Sequence, residues 1–243
     1  MPPLVFCSGS CRLLTSVADG RGRIRPLHSM FHNFIGCNCL TKLHTTRQHI
    51  QFFKWIKGDL DIPAEHMPFF LSAHSGEWAS DMRQDPVKAL ANIRAEFDKV
   101  DVFLIEVCSI KNYEMDGIYH QHEMIKACDL ASRIITVSTE QEVCDDLAWL
   151  KAYLGKPVIA ISHFRPHVWG GGPCIENREL IVRALVRSGM DMVLDPSSVI
   201  RDHAAGARGL LSDETHFSPQ GHAVWGEVLC DAVARLMNAS GGV

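Results

Sequence analysis

Short apolar runs separated by helix-length segments constrain this chain more than any other feature. Val102 to Cys108, Ile134 to Ser138, Val158 to Ser162 and Met192-Val193-Leu194 are rich in strand formers. Thr139 to Leu154 carries helical spacing and is closed by Gly155, and Asn177 to Gly189 reads as a second helix. Asp85-Pro86 opens a third, running to Lys99 with Leu90, Ala91, Ile93 and Phe97 as its apolar stripe. Phe69-Phe70-Leu71 reads as another short strand. Strands alternating with helices at these lengths predict parallel β-α-β units with helices on both faces of one sheet. The expected fold is a three-layer α/β/α sandwich around a central, mostly parallel sheet. With 243 residues, 47% of them hydrophobic, residues 1–243 form one expected domain with one substantial core.

Such a sheet places ligands at the carboxyl ends of its strands. The first strand, Leu4-Val5-Phe6-Cys7, leads into Ser8-Gly9-Ser10-Cys11-Arg12 before Leu13, Leu14 and Val17 resume helical spacing. A glycine there permits an unusual backbone turn, and a side chain at a helix start is well placed to act as a nucleophile. Cys108-Ser109-Ile110-Lys111-Asn112 follows the clearest strand, and Ser162-His163-Phe164-Arg165 follows the next. Polar residues therefore gather where a site belongs.

Near the other end lies D-E-T-H-F-S-P-Q-G-H, with Asp213 and His216 three apart. An aspartate at that spacing can accept a hydrogen bond from one imidazole nitrogen and leave the other to act as base. Ser218 and Pro219 then start a helix, as N-cap and N1, so the pair lies on a loop. An isolated pattern of this length also occurs as a plain turn. It gains meaning from a partner at the first strand.

The glycine-containing turn after the first strand and the terminal D-x-x-H-x-S-x-x-G together resemble the SGNH, or GDSL-type, hydrolase superfamily. The resemblance implies a flavodoxin-like sheet, a nucleophile in the first block, and Asp213 and His216 in the last. The first block admits two alignments. Reading Ser8-Gly9-Ser10 as the counterpart of G-D-S makes Ser10 the nucleophile; keeping Gly9 in place makes it Cys11, as in Cys-dependent branches of the clan. Cys11 is favoured, and a small buried hydrophobe is its bland alternative. The resemblance also implies an oxyanion hole, with Gly36 as the second-block glycine and Ser109 and Asn112 standing near where G-x-N-D would be. Gly9 in the first turn, and His163 and Arg165 at the end of a strand, are further candidate binding residues, with structural polar roles as the alternative for the last two.

Residues from about 21 to 58 form a basic, His-rich insertion, with His28, His32, His44 and His49 among Arg21, Arg23, Arg25, Lys42, Arg47, Lys54 and Lys57. It is read as a solvated helix face, because Ile50, Phe53, Trp55 and Ile56 mark a packed side, with an anion site as the sharper alternative. Over the whole chain the balance is mildly acidic, 24 Lys and Arg against 28 Asp and Glu, which excludes a strong bias toward nucleic acid. Nine cysteines scattered from Cys7 to Cys230 fit neither a disulfide framework nor a zinc site, and Cys37 and Cys39 lack the zinc spacing. No signal-peptide pattern or membrane span is read, so a cytoplasmic protein with no cofactor and no metal is expected. His120 and His122 are taken as surface histidines, and Gly170-Gly171-Gly172 as a flexible loop. The expected function is an esterase or acyltransferase acting on a small-molecule or carbohydrate ester. The alternative is a catalytically degenerate protein of the same fold that binds an anionic carbohydrate or partner.

Overall fold

The computed structural model describes residues 1–17, 22–28, 30–33, 36–39, 43–70, 86–121, 133–164, 175–213 and 216–240. The strands are β1 (Leu4–Ser8), β2 (Arg25–His28), β3 (Met30–Asn33), β4 (Gly36–Cys39), β5 (Val102–Val107), β6 (Lys111–Met115), β7 (Ile118–Tyr119), β8 (Ile134–Val137), β9 (Val158–Ser162) and β10 (Met192–Leu194). The helices are α1 (Cys11–Ser16), α2 (Thr46–Lys57), α3 (Met67–Phe70), α4 (Pro86–Phe97), α5 (Glu140–Leu154), α6 (Ile175–Arg187), α7 (Pro196–Asp202), α8 (Gly206–Leu210) and α9 (Pro219–Ser240).

Five strands form one parallel sheet in the order β10-β9-β5-β1-β2. Alternation along the strands splits the core in two. Phe6, Phe103, Ile105, Val158 and Ala160 face α2, α4, α5 and α6, while Val5, Cys7, Val102, Leu104, Ile159 and Ile161 face α1, α7, α8 and α9. The fold is thus a three-layer α/β/α sandwich. Helices on both faces explain why β1, β5 and β9 read as apolar runs, interrupted in β5 only by Glu106, since neither side of these strands meets water. Counted along the chain, the sheet order is 2-1-3-4-5, the flavodoxin-like arrangement.

Local chemistry sets the helix ends. Thr45 and Gln48 close a capping box on α2, Thr139 and Glu142 do the same for α5, and Gly58 and Gly155 end these helices in the left-handed conformation. Asp101 reaches back from the turn before β5 to accept the Leu4 N–H at 2.8 Å, fixing the start of β1.

Two expected strands come out differently. Phe69 and Phe70 lie in the short helix α3, their N–H groups bonded to the His66 carbonyl; a two- or three-residue apolar run carries no period to tell strand from helix. Leu71 lies outside the described residues. Ile134–Val137 is a strand, but it pairs antiparallel with β6 at the edge of a separate sheet, β7-β6-β8. Its Ile134, Ile135 and Val137 are exposed, so an apolar run with the composition of a buried strand sits at an edge instead. Another addition is the antiparallel hairpin β3–β4. No helix among the described residues is long and apolar enough to cross a membrane.

Candidate active site

The central strand β1 delivers the chain to the switch point of the sheet. The connection from β1 leads to β2 on one side, while the next strand of the sheet, β5, lies on the other. The loops leaving β1 and β5 therefore part and open a crevice at their carboxyl ends. Gly9 sits there because the neighbouring strand leaves no room: a Cβ at Gly9 would lie 2.6 Å from the Cβ of Glu106.

Glu106 organises this turn. Its Oε2 accepts the Ser10 N–H at 2.9 Å and the Ser10 hydroxyl at 2.6 Å, while its Oε1 lies 3.7 Å from Arg12 Nε. The Ser10 oxygen in turn accepts the Arg12 N–H at 3.3 Å as N-cap of α1. Ser10 is thus buried and committed on both sides. Cys11, the first residue of α1, is a partly exposed thiol. Cys7, Cys108 and Cys230 are buried, and burial pushes the Cys108 thiol up to about 12, which keeps it protonated and inert.

The last loop supplies an oriented imidazole. The Asp213 carboxylate accepts His216 Nδ1–H, 2.8 Å from Oδ2, and the His216 backbone N–H, 2.8 Å from Oδ1. With Nδ1 carrying the proton, Nε2 holds the lone pair of the neutral ring. Both residues are more than half exposed. The loop is anchored by a bridge between Leu211 and Phe217, and Phe217 packs on Phe164 beyond β9 and on Trp225 of α9. Gly221, the last residue of the terminal motif, lets α9 approach Leu210 at the end of α8; a Cβ there would run into the Leu210 carbonyl.

His222 ties the two ends of the chain together. Its Nδ1–H donates at 2.9 Å to the Ser16 oxygen, whose own hydroxyl donates to the Arg12 carbonyl at 2.7 Å, joining α9 to α1. Burial, Arg12 and His216 together push His222 down to about 4.

Beside the turn lies a cavity of about 220 Å³ lined by Arg12, His44, Gln48, Cys108, Ser109, Lys111, Asn177 and Arg178. The His44 carbonyl accepts the N–H groups of Cys108 and Ser109 at 2.8 and 2.9 Å, which holds the loop after β5 against the chain entering α2. Ser109 accepts the Lys111 N–H at 3.0 Å and is one of the expected residues on this wall.

The remaining expected residues scatter more. Asn112 is buried in β6, where its amide donates to Ser138 Oγ at 2.8 Å and to the Ile110 carbonyl at 3.4 Å. Its donors are spent inside the small sheet, because β6 turns the side chain toward β8. Gly36 lies on β4, which packs beside α1, and the Leu43 N–H returns to the Gly9 carbonyl at 3.2 Å. His163 is buried at the end of β9 and donates Nδ1–H to the Phe164 carbonyl at 2.9 Å. Arg165 and Gly170 to Gly172 lie outside the described residues.

A serine–histidine pair elsewhere is structural. His49 Nε2–H donates to the Glu106 carbonyl at 3.0 Å and Nδ1 accepts the Ser8 hydroxyl at 3.0 Å, with both residues fully buried. Substrate cannot reach it. His120 is also buried, paired with His66 at 3.1 Å, which corrects its reading as a surface residue: it packs beneath Phe69 as the end of the small sheet meets α3. His122 lies outside the described residues. Within the basic segment, Arg47 is spent on Asp146 at 2.8 Å and Lys54 and Lys57 lie over the rings of Trp149 and Tyr153.

Sequence reasoning missed Glu106, Arg12 and Arg178. Glu106 had a signal, a lone carboxylate inside the apolar run Val102 to Val107. Arg178 sits in a helix with ordinary charge spacing and gave none.

Comparison with known proteins adds a family. A family model described as the TviD N-terminal domain matches residues 4–128, from β1 past β7. The chain is also similar to the crystal structure of LAE5, an alpha/beta hydrolase enzyme from the metagenome of Lake Arreo, Spain, at 13% identity over 97% of this chain and 96% of that one, with a TM-score of 0.40. So slight a likeness bears on neither activity nor substrate. No curated protein matches the chain.

Proposed function

This chain belongs to the family of the TviD N-terminal domain, and from that premise and the geometry of the turn and loop we propose an SGNH-like acyl-transfer enzyme in which Cys11 is the nucleophile and His216 the base. The observation that carries this reading is the His216 imidazole held through Nδ1 by Asp213 at 2.8 Å. The choice of Cys11 over Ser10 is supported by the 2.6 Å bond from the Ser10 hydroxyl to Glu106. An acetyltransferase-like activity is also what membership of the family suggests.

The chemistry runs in two halves. His216 Nε2 takes the thiol proton of Cys11, Sγ attacks the carbonyl carbon of an ester, and the carbon–oxygen bond to the leaving group breaks as His216 returns the proton to the departing oxygen. The thioester so formed is then attacked by water or by a sugar hydroxyl, whose proton passes to His216 as the thiolate leaves. Small-molecule or carbohydrate esters in the cytoplasm are the proposed substrates.

Incubation with p-nitrophenyl acetate followed by intact-protein mass spectrometry tests the assignment. An acetyl adduct is expected on wild type and on Ser10→Ala, and none on Cys11→Ala. An adduct that survives Cys11→Ala but disappears in Ser10→Ala transfers the role to Ser10. A second reading, a binding protein that has lost catalysis, is favoured by the commitment of the Asn112 amide to Ser138. Absence of any adduct and of p-nitrophenol release supports it.

A further inference from the structure

We propose that His222 is a positioning residue that sets helix α1, which begins at Cys11, against the loop that carries His216; the role rests on the acyl-transfer reading of those two residues. One side chain joins both elements. His222 Nδ1 lies 2.9 Å from Ser16 Oγ, at the last residue of α1 and 206 positions away in the sequence. Its ring meets Phe217, the residue after His216, edge to face with 5.5 Å between centroids.

The direction of the bond follows from Ser16. This serine is buried beside Leu13, Leu14 and Val17, and its hydroxyl proton goes to the Arg12 carbonyl at 2.7 Å. Toward His222 the Ser16 oxygen is therefore an acceptor, and Nδ1 is the nitrogen that carries hydrogen. Two hydrogen bonds in series thus run from α9 to the carbonyl of the residue next to Cys11.

The other contacts between these elements are of a different kind. Leu13 and Leu14 of α1 share one apolar layer with Trp225 and Leu229 of α9, and Phe217 packs on Phe164 and Trp225. Apolar burial is non-directional, so it holds the layers together without fixing how α1 slides or turns. A hydrogen bond weakens steeply out of line, so the one to Ser16 fixes that register. After burial, the groups that push His222 down to about 4 are Arg12 and His216, one from each element that it joins. The ring is thus neutral near pH 7, with Nδ1–H as its donor.

Alkylation of Cys11 by iodoacetamide, followed on its peptide by mass spectrometry, tests the role in the full chain without requiring an ester. At pH 7, where a thiol relies on a neighbouring base, His222→Ala and Ser16→Ala are each expected to slow alkylation by about ten- to a hundredfold, the scale of a misplacement of roughly 1 Å. At a pH of about 10, above the usual thiol range, both are expected to match wild type within about twofold. His222→Asn should recover most of the rate, because its amide N–H stands where Nδ1–H does while nothing replaces Nε2. In a His216→Ala background, His222→Ala should slow alkylation no further. A purely structural role would instead change the rate at both pH values and in both backgrounds. Unchanged rates at pH 7, slowing that persists without His216, or His222→Asn as slow as His222→Ala overturns the proposal. Ser16→Ala, which removes one oxygen, decides the matter if His222→Ala does not fold. No acetyl adduct on a wild type whose Cys11 alkylation follows the expected pattern refutes the acyl-transfer reading alone, and an adduct with alkylation indifferent to His222 refutes the positioning role alone.

Discussion

The two halves of the proposed site are built in opposite ways. The turn at Gly9 to Arg12 is buried at Gly9 and Ser10, packed on β5 and pinned by a carboxylate 96 residues away in sequence, whereas Asp213 and His216 are exposed and orient each other across three residues. The first is held by tertiary packing, the second by its own local bonds. Mutations should therefore separate cleanly: damage in the turn costs stability, and damage in the loop costs activity alone.

The largest expected effect lies in the turn. Glu106→Ala leaves the Ser10 N–H and hydroxyl without their acceptor and removes the carboxylate beside Arg12, so urea unfolding should show a loss of about 3–5 kcal/mol, in the range for breaking a buried ionic contact. A loss below about 1 kcal/mol would show that the turn does not depend on Glu106. Next comes the loop: His216→Ala should slow adduct formation on Cys11 by roughly 10²–10³-fold, within the usual contribution of a general base. Stability should stay within about 0.5 kcal/mol, as for exposed substitutions. Equal loss of stability in both variants would erase the contrast.

The smallest effect sharpens it through pH. His49 lies under the turn between Ser8 and the Glu106 carbonyl, and burial pushes it down from 6.5 to about 4. The folded state therefore keeps it neutral while the unfolded chain takes up a proton as pH falls below about 6.5. Stability from this group is complete above that pH and is lost as pH falls toward about 4, by on the order of 3 kcal/mol. Urea midpoints measured from pH 7 to pH 4 should fall more steeply in wild type than in His49→Gln. Parallel curves would place the acid sensitivity elsewhere.

Much of this was legible in the residues. The apolar runs of β1, β5 and β9 announced strands buried on both faces, and Thr139, Gly155, Ser218 and Pro219 marked helix ends, because these are short-range effects of period and capping. The spacing of Asp213 and His216 likewise carried their contact, since three residues in a turn suffice to bring them together. By contrast, Ile134 to Val137 had the composition of a central strand and became an edge. β2, drawn from a basic stretch with Arg25, Pro26 and His28, gave no strand signal and yet pairs in register with β1.

The sequence by itself determined the layered α/β architecture and the oriented Asp213–His216 pair, because periodicity, caps and close spacing act within a few residues. Tertiary structure alone decided which side chain of the Ser10–Cys11 pair is committed and which cations share a cavity. Those outcomes depend on Glu106, Cys108 and Arg178 arriving from strands and helices about a hundred residues or more away. No local pattern encodes a meeting between residues so far apart in the chain.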